Sequence, residues 1–132
     1  MLECLSQVMT EVIKFTNRHS IDAKIHVHSV SELRGDNEIP DDFWKKFETY
    51  GGVYCFFSEN QNEIKYIGMS CSSTGNRLSR WLFTTKSSET DLTRSLVPND
   101  FILSIVLADE PYMAPSLEKF LLVKFETSFN AR

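Results

Sequence analysis

The chain has 132 residues, the length of a single domain, so a core can be buried without help from disulfides or metals. Its formal net charge is −4, so the chain lacks the strongly basic overall composition that is usual in nucleic-acid-binding domains. The three cysteines lack metal-ligand spacing, and their odd number suits a reducing compartment. No stretch approaches the roughly 20 apolar residues of a membrane span, and the N-terminus lacks the pattern of a signal peptide. We therefore expect a soluble cytoplasmic protein with no membrane partner.

The first 50 residues are expected to form an extension of helix, strand and short helix. Residues 2–18 carry apolar side chains at helical spacing, which predicts an amphipathic helix that packs on the core or serves as a dimer face. Residues 24–30 alternate, which predicts an edge strand. His26 and His28 share one face of that strand, either as exposed side chains or as two ligands of a metal.

A polar connector is expected over residues 31–40, where Gly35 and Pro40 interrupt regular structure. A short helix should then run from Pro40 to Thr49, because proline and acidic residues suit a first helical turn. Trp44 on that helix has the spacing of a core residue, and base stacking is the alternative.

The following stretch has the pattern of a β-hairpin. Residues 51–57 and 63–68 are rich in β-branched and aromatic residues, and the polar residues 58–62 between them are turn formers. Both strands contain a glycine as well as a tyrosine. A glycine inside a strand often marks a place where a backbone or a ligand comes close.

Three more elements are expected after the hairpin. Residues 76–83 should form a helix, and residues 84–99 a loop with a short helical turn near 92–96. Residues 101–107 are continuously apolar, which favours a central strand, and a last helix should run from Ser116 to about Phe129. The expected fold class is α+β, with a small, mostly antiparallel sheet flanked by helices.

A set of spaced motifs then links the hairpin to a known family. Gly52-Val53-Tyr54 is followed after eleven residues by Tyr66-Ile67-Gly68, and Arg77-Leu78 begins nine residues past Gly68. Leu117-Glu118 lies in the expected last helix, and Asn130 follows Glu118 by twelve residues. In order and spacing, this set resembles the GIY-YIG nuclease superfamily. The resemblance covers about residues 51–130, so residues 51–132 would be the nuclease core and residues 1–50 an extension within one compact domain.

The resemblance implies a phosphodiester hydrolase that uses one divalent metal. Tyr54 would act as general base or position the attacking water, and Tyr66 would support it. Arg77 would bind phosphate oxygens through its planar guanidinium. Glu118 would hold Mg²⁺ or Mn²⁺. A carboxylate on an apolar helix stripe needs a partner to offset the cost of its burial, and the metal would be that partner. A first-turn acid that serves the helix dipole is the alternative for Glu118.

Other motif residues have supporting roles in this interpretation. Gly52 and Gly68 would allow close approach, and Asn130 would be a structural hydrogen-bonding residue. Lys65 and Arg80 would contact nucleic acid, the alternatives being an exposed strand lysine and a solvated helix face. A positive charge from Lys65 would also lower the pKa of a nearby tyrosine.

Three functions remain open from the sequence. The first is a metal-dependent endonuclease that acts on DNA in preference to RNA, with a homodimer as one way to cut both strands. The second is a non-catalytic binding or regulatory protein that acts through a protein partner, as an acidic chain would allow. The third is an unrelated α+β enzyme in which the motif occurs by coincidence.

Overall fold

The computed structural model describes residues 3–34, 50–60, 62–74, 82 and 90–130. These residues form an α+β fold in which helices flank a four-stranded antiparallel sheet, as the sequence predicts. In chain order the elements are α1 (Glu3–His19), β1 (Lys24–Ser29), α2 (Val30–Arg34), β2 (Gly52–Ser58), β3 (Glu63–Ser70), α3 (Thr90–Ser95), β4 (Phe101–Val106), a 3-10 turn (Pro111–Met113) and α4 (Ala114–Lys124).

The strand order in the sheet is β1-β4-β2-β3, and all neighbouring strands are antiparallel. The hairpin, the central apolar strand and the edge position of β1 are therefore confirmed. β4 lies between β1 and β2 and is buried along most of its length, which explains its continuous apolar sequence.

The two faces of the sheet are covered differently. The face that carries Val53, Cys55 and Ile105 packs against buried side chains of α1 and α4, and we call it the helix face. The opposite face carries Tyr54 and Phe56, which pack with α2 and α3, and we call it the tyrosine face. Because successive side chains of a strand alternate, β2 contributes equally to both faces.

The polar segment after β1 is not only a connector, because α2 begins in it. Ser29 Oγ accepts a hydrogen bond from Glu32 N at 3.1 Å, and Glu32 Oε1 accepts one from Ser29 N at 3.1 Å. This reciprocal pair is a capping box, which supplies partners for backbone groups at a helix start. The spacing of Ser29 and Glu32 was the signal in the sequence for this helix.

The last helix is shorter than predicted, because it ends at Lys124. Phe125 has extended backbone angles, and the chain then runs beside β3, where Ser128 N donates to Ile64 O and Phe129 N to Lys65 O. The prediction that the last helix continues to about Phe129 is therefore wrong beyond Lys124. Because β3 is an edge strand, its outer backbone groups need hydrogen-bond partners, and pairing with them competes with further helix.

Two other predicted helices, at 40–49 and 76–83, lie almost entirely outside the described residues, and Trp44, Arg77 and Arg80 lie outside them with these helices. Within the described part of the chain, the helices are all too short or too polar to cross a bilayer.

Candidate active site

The hairpin register brings the two motif tyrosines onto one face of the sheet. Tyr54 on β2 is paired with Gly68 on β3, and Phe56 is paired with Tyr66, so all four point to the tyrosine face. The ring centroids of Tyr54 and Tyr66 are 6.3 Å apart with an interplanar angle of 30°. Tyr54 is only 1% exposed, whereas Tyr66 is half-buried. The tyrosines therefore form a pair in which Tyr66 lies nearer to solvent.

Gly68 is the residue that makes room for the Tyr54 ring. A Cβ atom built on Gly68 would lie 2.5 Å from both Cζ and Oη of Tyr54. The phenol of Tyr54 therefore lies across β3 at the position of the missing side chain. This contact explains why the second tripeptide ends in glycine: the tyrosine of the first tripeptide occupies the space that a side chain would need.

Replacing Gly68 by alanine should displace the Tyr54 ring. Because the ring is the end of a side chain that can rotate, we expect a loss of about 1–3 kcal/mol in the free energy of unfolding. Urea denaturation followed by tyrosine fluorescence would measure it. In a background carrying Tyr54→Leu, Gly68→Ala should cost clearly less, because the clash is gone. Equal costs in both backgrounds would show that Tyr54 does not occupy this space.

Lys65 is placed differently from the prediction. The register changes between Phe56–Tyr66 and Phe57–Ile64, so Lys65 is an extra residue in a β-bulge. It is 6% exposed, and its Nζ lies 2.7 Å from Asp100 Oδ2 and 2.5 Å from Ser95 O. Lys65 is therefore a buried, paired cation and neither an exposed strand lysine nor a phosphate ligand. Its positive charge is paired with the carboxylate of Asp100.

Asp100 is a residue that sequence reasoning missed. It is fully buried directly before β4, and its Oδ2 also accepts a hydrogen bond from Val97 N at 3.0 Å. Its own carbonyl accepts from Val30 N at 2.8 Å, which ties the start of α2 to the start of β4. A carboxylate next to a continuous apolar strand was the available signal, since burial of such a group needs a charged partner.

Glu118 lies on α4, whose side chains Leu117 and Leu121 are buried against the helix face. Burial raises the pKa of the Cys55 thiol strongly, and the negative charge of Glu118 raises that pKa further. Cys55 is on the helix face, one residue from Tyr54, so Glu118 belongs to a helix that packs on the side of the sheet opposite the tyrosine pair. The described contacts bring the tyrosines and Gly68 together, and they leave Glu118 on a separate element.

A metal site built from several acidic, histidine or cysteine side chains is absent from the described residues. Among those residues, no group of three or more histidine, cysteine, aspartate or glutamate side chains lies close enough to hold a metal. His26 and His28, whose ring centroids are 6.3 Å apart, likewise belong to no group of three such side chains among the described residues. One carboxylate with water or substrate as the remaining ligands is a set that Mg²⁺ accepts, so Glu118 fits as a single-residue metal ligand.

Asn130 fastens the segment after α4 to the hairpin. Its Oδ1 accepts a hydrogen bond from Ile67 N, and its Nδ2 donates to Ile67 O, both at 2.8 Å. Ile67 lies between the motif residues Tyr66 and Gly68. The amide of Asn130 therefore satisfies the outer edge of β3 at the second motif tripeptide.

Gly52 has a different neighbour from Gly68. A Cβ atom on Gly52 would lie 2.0 Å from the carbonyl oxygen of Ile105 in β4. The first motif glycine thus allows two backbones to approach, as its place in a strand suggests.

Comparison of the chain with protein-family models, with curated protein sequences and with solved structures finds no match.

Proposed function

We propose that this chain is a metal-dependent endonuclease with a GIY-YIG-like fold that hydrolyses phosphodiester bonds in DNA in the cytoplasm. The observation that carries the proposal is the contact between Tyr54 and Gly68, in which the tyrosine of one tripeptide fills the space left by the glycine of the other. The antiparallel hairpin and its neighbour β4 supply the small sheet that the resemblance implies. Chance occurrence of the two tripeptides would not require this mutual fit.

In this proposal the tyrosine pair handles the attacking water. Tyr66, the more exposed ring, forms the entrance, and the Tyr54 hydroxyl orients the water by hydrogen bonding. The bulge at Lys65 fixes the strand next to Tyr66, and so holds that ring in place.

The remaining roles belong to residues that act on phosphate. Arg77 would bind the non-bridging oxygens of the scissile phosphate, and Arg80 a neighbouring phosphate. Glu118 would hold Mg²⁺ or Mn²⁺, which would supply positive charge for the developing phosphate charge. Because α4 also contacts β3, the edge strand that carries Tyr66, the scissile phosphate would have to lie at that edge of the sheet. With one such site per chain, cutting both strands of DNA would use a homodimer or two binding events.

Replacing Glu118 by glutamine should abolish metal-dependent cutting. We expect nicking of supercoiled plasmid in Mg²⁺ or Mn²⁺ to fall at least about a hundredfold, because a bound metal supplies several kcal/mol of transition-state stabilisation. Glu126→Gln is the matched control, since Glu126 is exposed beyond the end of α4. Arg77→Ala should give a similar loss, with the exposed Arg94→Ala as its control. Retained cutting in both Glu118→Gln and Arg77→Ala, with the fold intact, would contradict the assignment.

A second function is favoured by the burial of Tyr54. Tyr54 is 1% exposed, and Glu118 is on a helix that packs on the other face of the sheet. A regulatory protein that retains the scaffold and acts through a protein partner would keep this packing without needing a reactive cleft. Absence of cutting on plasmid and on branched duplex by the folded protein would favour it.

A further inference from the structure

An apolar groove lies on the outer surface of the two helices that cover the helix face. α1 and α4 are antiparallel neighbours, because Phe15 contacts Phe120 with ring centroids 5.2 Å apart and Glu11 pairs with Lys124 at 3.5 Å. The groove between them has a volume of about 570 Å³. It runs along α4, whose eleven residues are about 16 Å long.

Four apolar residues form the floor of the groove, namely Phe15, Pro115, Phe120 and Val123. Pro115 and Val123 are exposed, Phe120 is half-buried and Phe15 is buried. Val123 is 72% exposed, whereas Ala114, Leu117 and Leu121 of the same helix are buried. An apolar groove of this kind is typical of a surface that binds another molecule.

The rim of the groove is basic, although the chain is acidic. Lys119 and Lys124 line the groove, and the Lys124 ammonium lies 4.9 Å from the centre of the Phe120 ring. Lys14 and Arg18 project from the same flank of α1 as Glu11, which lies three and seven residues before them. Glu11 is held between Lys14 at 3.3 Å and Lys124. Two lysines therefore line the groove, and a third, Lys14, shares the Glu11 carboxylate with Lys124, whereas the whole chain carries −4.

We propose that this groove binds an amphipathic helix of a protein partner, with apolar residues along one stripe and acidic residues beside it. Helical walls offer no free backbone groups, so an extended peptide has no edge to pair with, whereas a helix satisfies its own backbone. Glutamates beside the stripe would form ion pairs with Lys119, Lys124 and the α1 cations. These ion pairs would fix the orientation of the bound helix in the groove. Duplex DNA would use the cations but leave the apolar floor unoccupied. The groove is on the outer side of α4 and is separate from the tyrosine pair.

The test uses the full chain and a synthetic fluorescent peptide as the probe. The peptide is about four helical turns long, with leucines at helical spacing and glutamates on both sides of them. A second peptide has glutamine in place of every glutamate. Fluorescence anisotropy should show the glutamate peptide binding at least about tenfold more tightly, with an affinity that falls as salt is added.

Two variants locate the binding site. Val123→Asp and Lys119→Glu should each weaken binding at least about tenfold, because they place negative charge in the groove. Val97→Asp and Lys24→Glu, at exposed positions elsewhere, should leave binding unchanged. Circular dichroism should show that all four variants are folded, since the substituted side chains are exposed.

Three results would overturn the proposal. The first is failure of the glutamate peptide to bind, or equal binding of both peptides. The second is binding that Val123→Asp and Lys119→Glu leave intact. The third is tighter occupation of the groove by duplex DNA, by phosphatidylglycerol vesicles or by a second copy of this chain, detected as competition or as a dimer that Val123→Asp dissociates.

Discussion

Replacing Asp100 by alanine should lower the free energy of unfolding by about 3–5 kcal/mol, because it leaves the Lys65 ammonium buried without its counter-charge. The side chains of Lys65 and Asp100 are 8% and 1% exposed, so water cannot replace the lost carboxylate. The variant also loses the hydrogen bond from Val97 N to Asp100 Oδ2. Urea unfolding, with circular dichroism as the signal, would measure the loss.

The double variant Lys65→Met with Asp100→Asn separates charge from shape. It removes both charges, and the asparagine can still accept the hydrogen bond from Val97 N. We expect it to be at least about 2 kcal/mol more stable than Asp100→Ala, since a buried pair that is removed whole costs little. Glu11→Ala, which breaks a more exposed ion-pair network, should cost much less than Asp100→Ala. If Asp100→Ala costs no more than Glu11→Ala, the pair is not buried as described.

The second large effect is expected for Gly52→Ala. The new Cβ would lie 2.0 Å from the carbonyl oxygen of Ile105, which is backbone and has no rotamer to change. β2 and β4, the two inner strands, would have to separate at the end where Gly52 is paired with Val106, and we expect a loss of about 3 kcal/mol or more in the free energy of unfolding.

Gly68→Ala is the natural comparison, because its clash is with the ring of Tyr54 and a ring can swing aside. Thermal unfolding of the two variants side by side should rank Gly52→Ala as the less stable. The reverse order would mean that the Tyr54 ring is more tightly fixed than the backbone of β4. In that case the packing of the Tyr54 ring on Gly68, and not the close pairing of β2 with β4 at Gly52, would be the stronger structural requirement of the motif.

The parts of the fold that the sequence predicts well have local signals. Continuous apolar residues identified β4, alternation identified β1, and the turn formers after Phe57 identified the hairpin. The helical period identified α1. In each case the pattern lies within one element, so the side chains themselves report which surfaces are buried.

The errors came from contacts between distant parts of the chain. Lys65 is buried because a bulge and Asp100, thirty-five residues later, make a place for its charge, and no local pattern reveals this. The last helix ends at Lys124 because the next residues pair with the edge of β3. By contrast, α2 was missed although its capping pair, Ser29 and Glu32, is local, because it lies in a polar stretch without an apolar stripe.

For the candidate site, the motif spacing correctly brings Tyr54, Tyr66 and Gly68 together, since a hairpin converts spacing directly into register. The motif spacing does not determine where Glu118 lies, because Glu118 is on a helix far along the chain. Its position depends on how α4 packs, and α4 packs on the helix face. The tyrosine pair could therefore be predicted from the sequence, whereas the arrangement of the carboxylate around it could not.

The most direct test of the proposed function is plasmid nicking by Tyr54→Phe beside wild type in Mg²⁺ and in EDTA. We expect wild type to cut only with metal, and Tyr54→Phe to cut about a hundredfold more slowly, because it removes only the hydroxyl that orients water. Tyr112→Phe is the matched control, since Tyr112 is 69% exposed, and it should cut like wild type. Metal-independent or absent cutting by folded wild type, or full activity in Tyr54→Phe, would contradict the assignment of the tyrosine pair to phosphodiester hydrolysis.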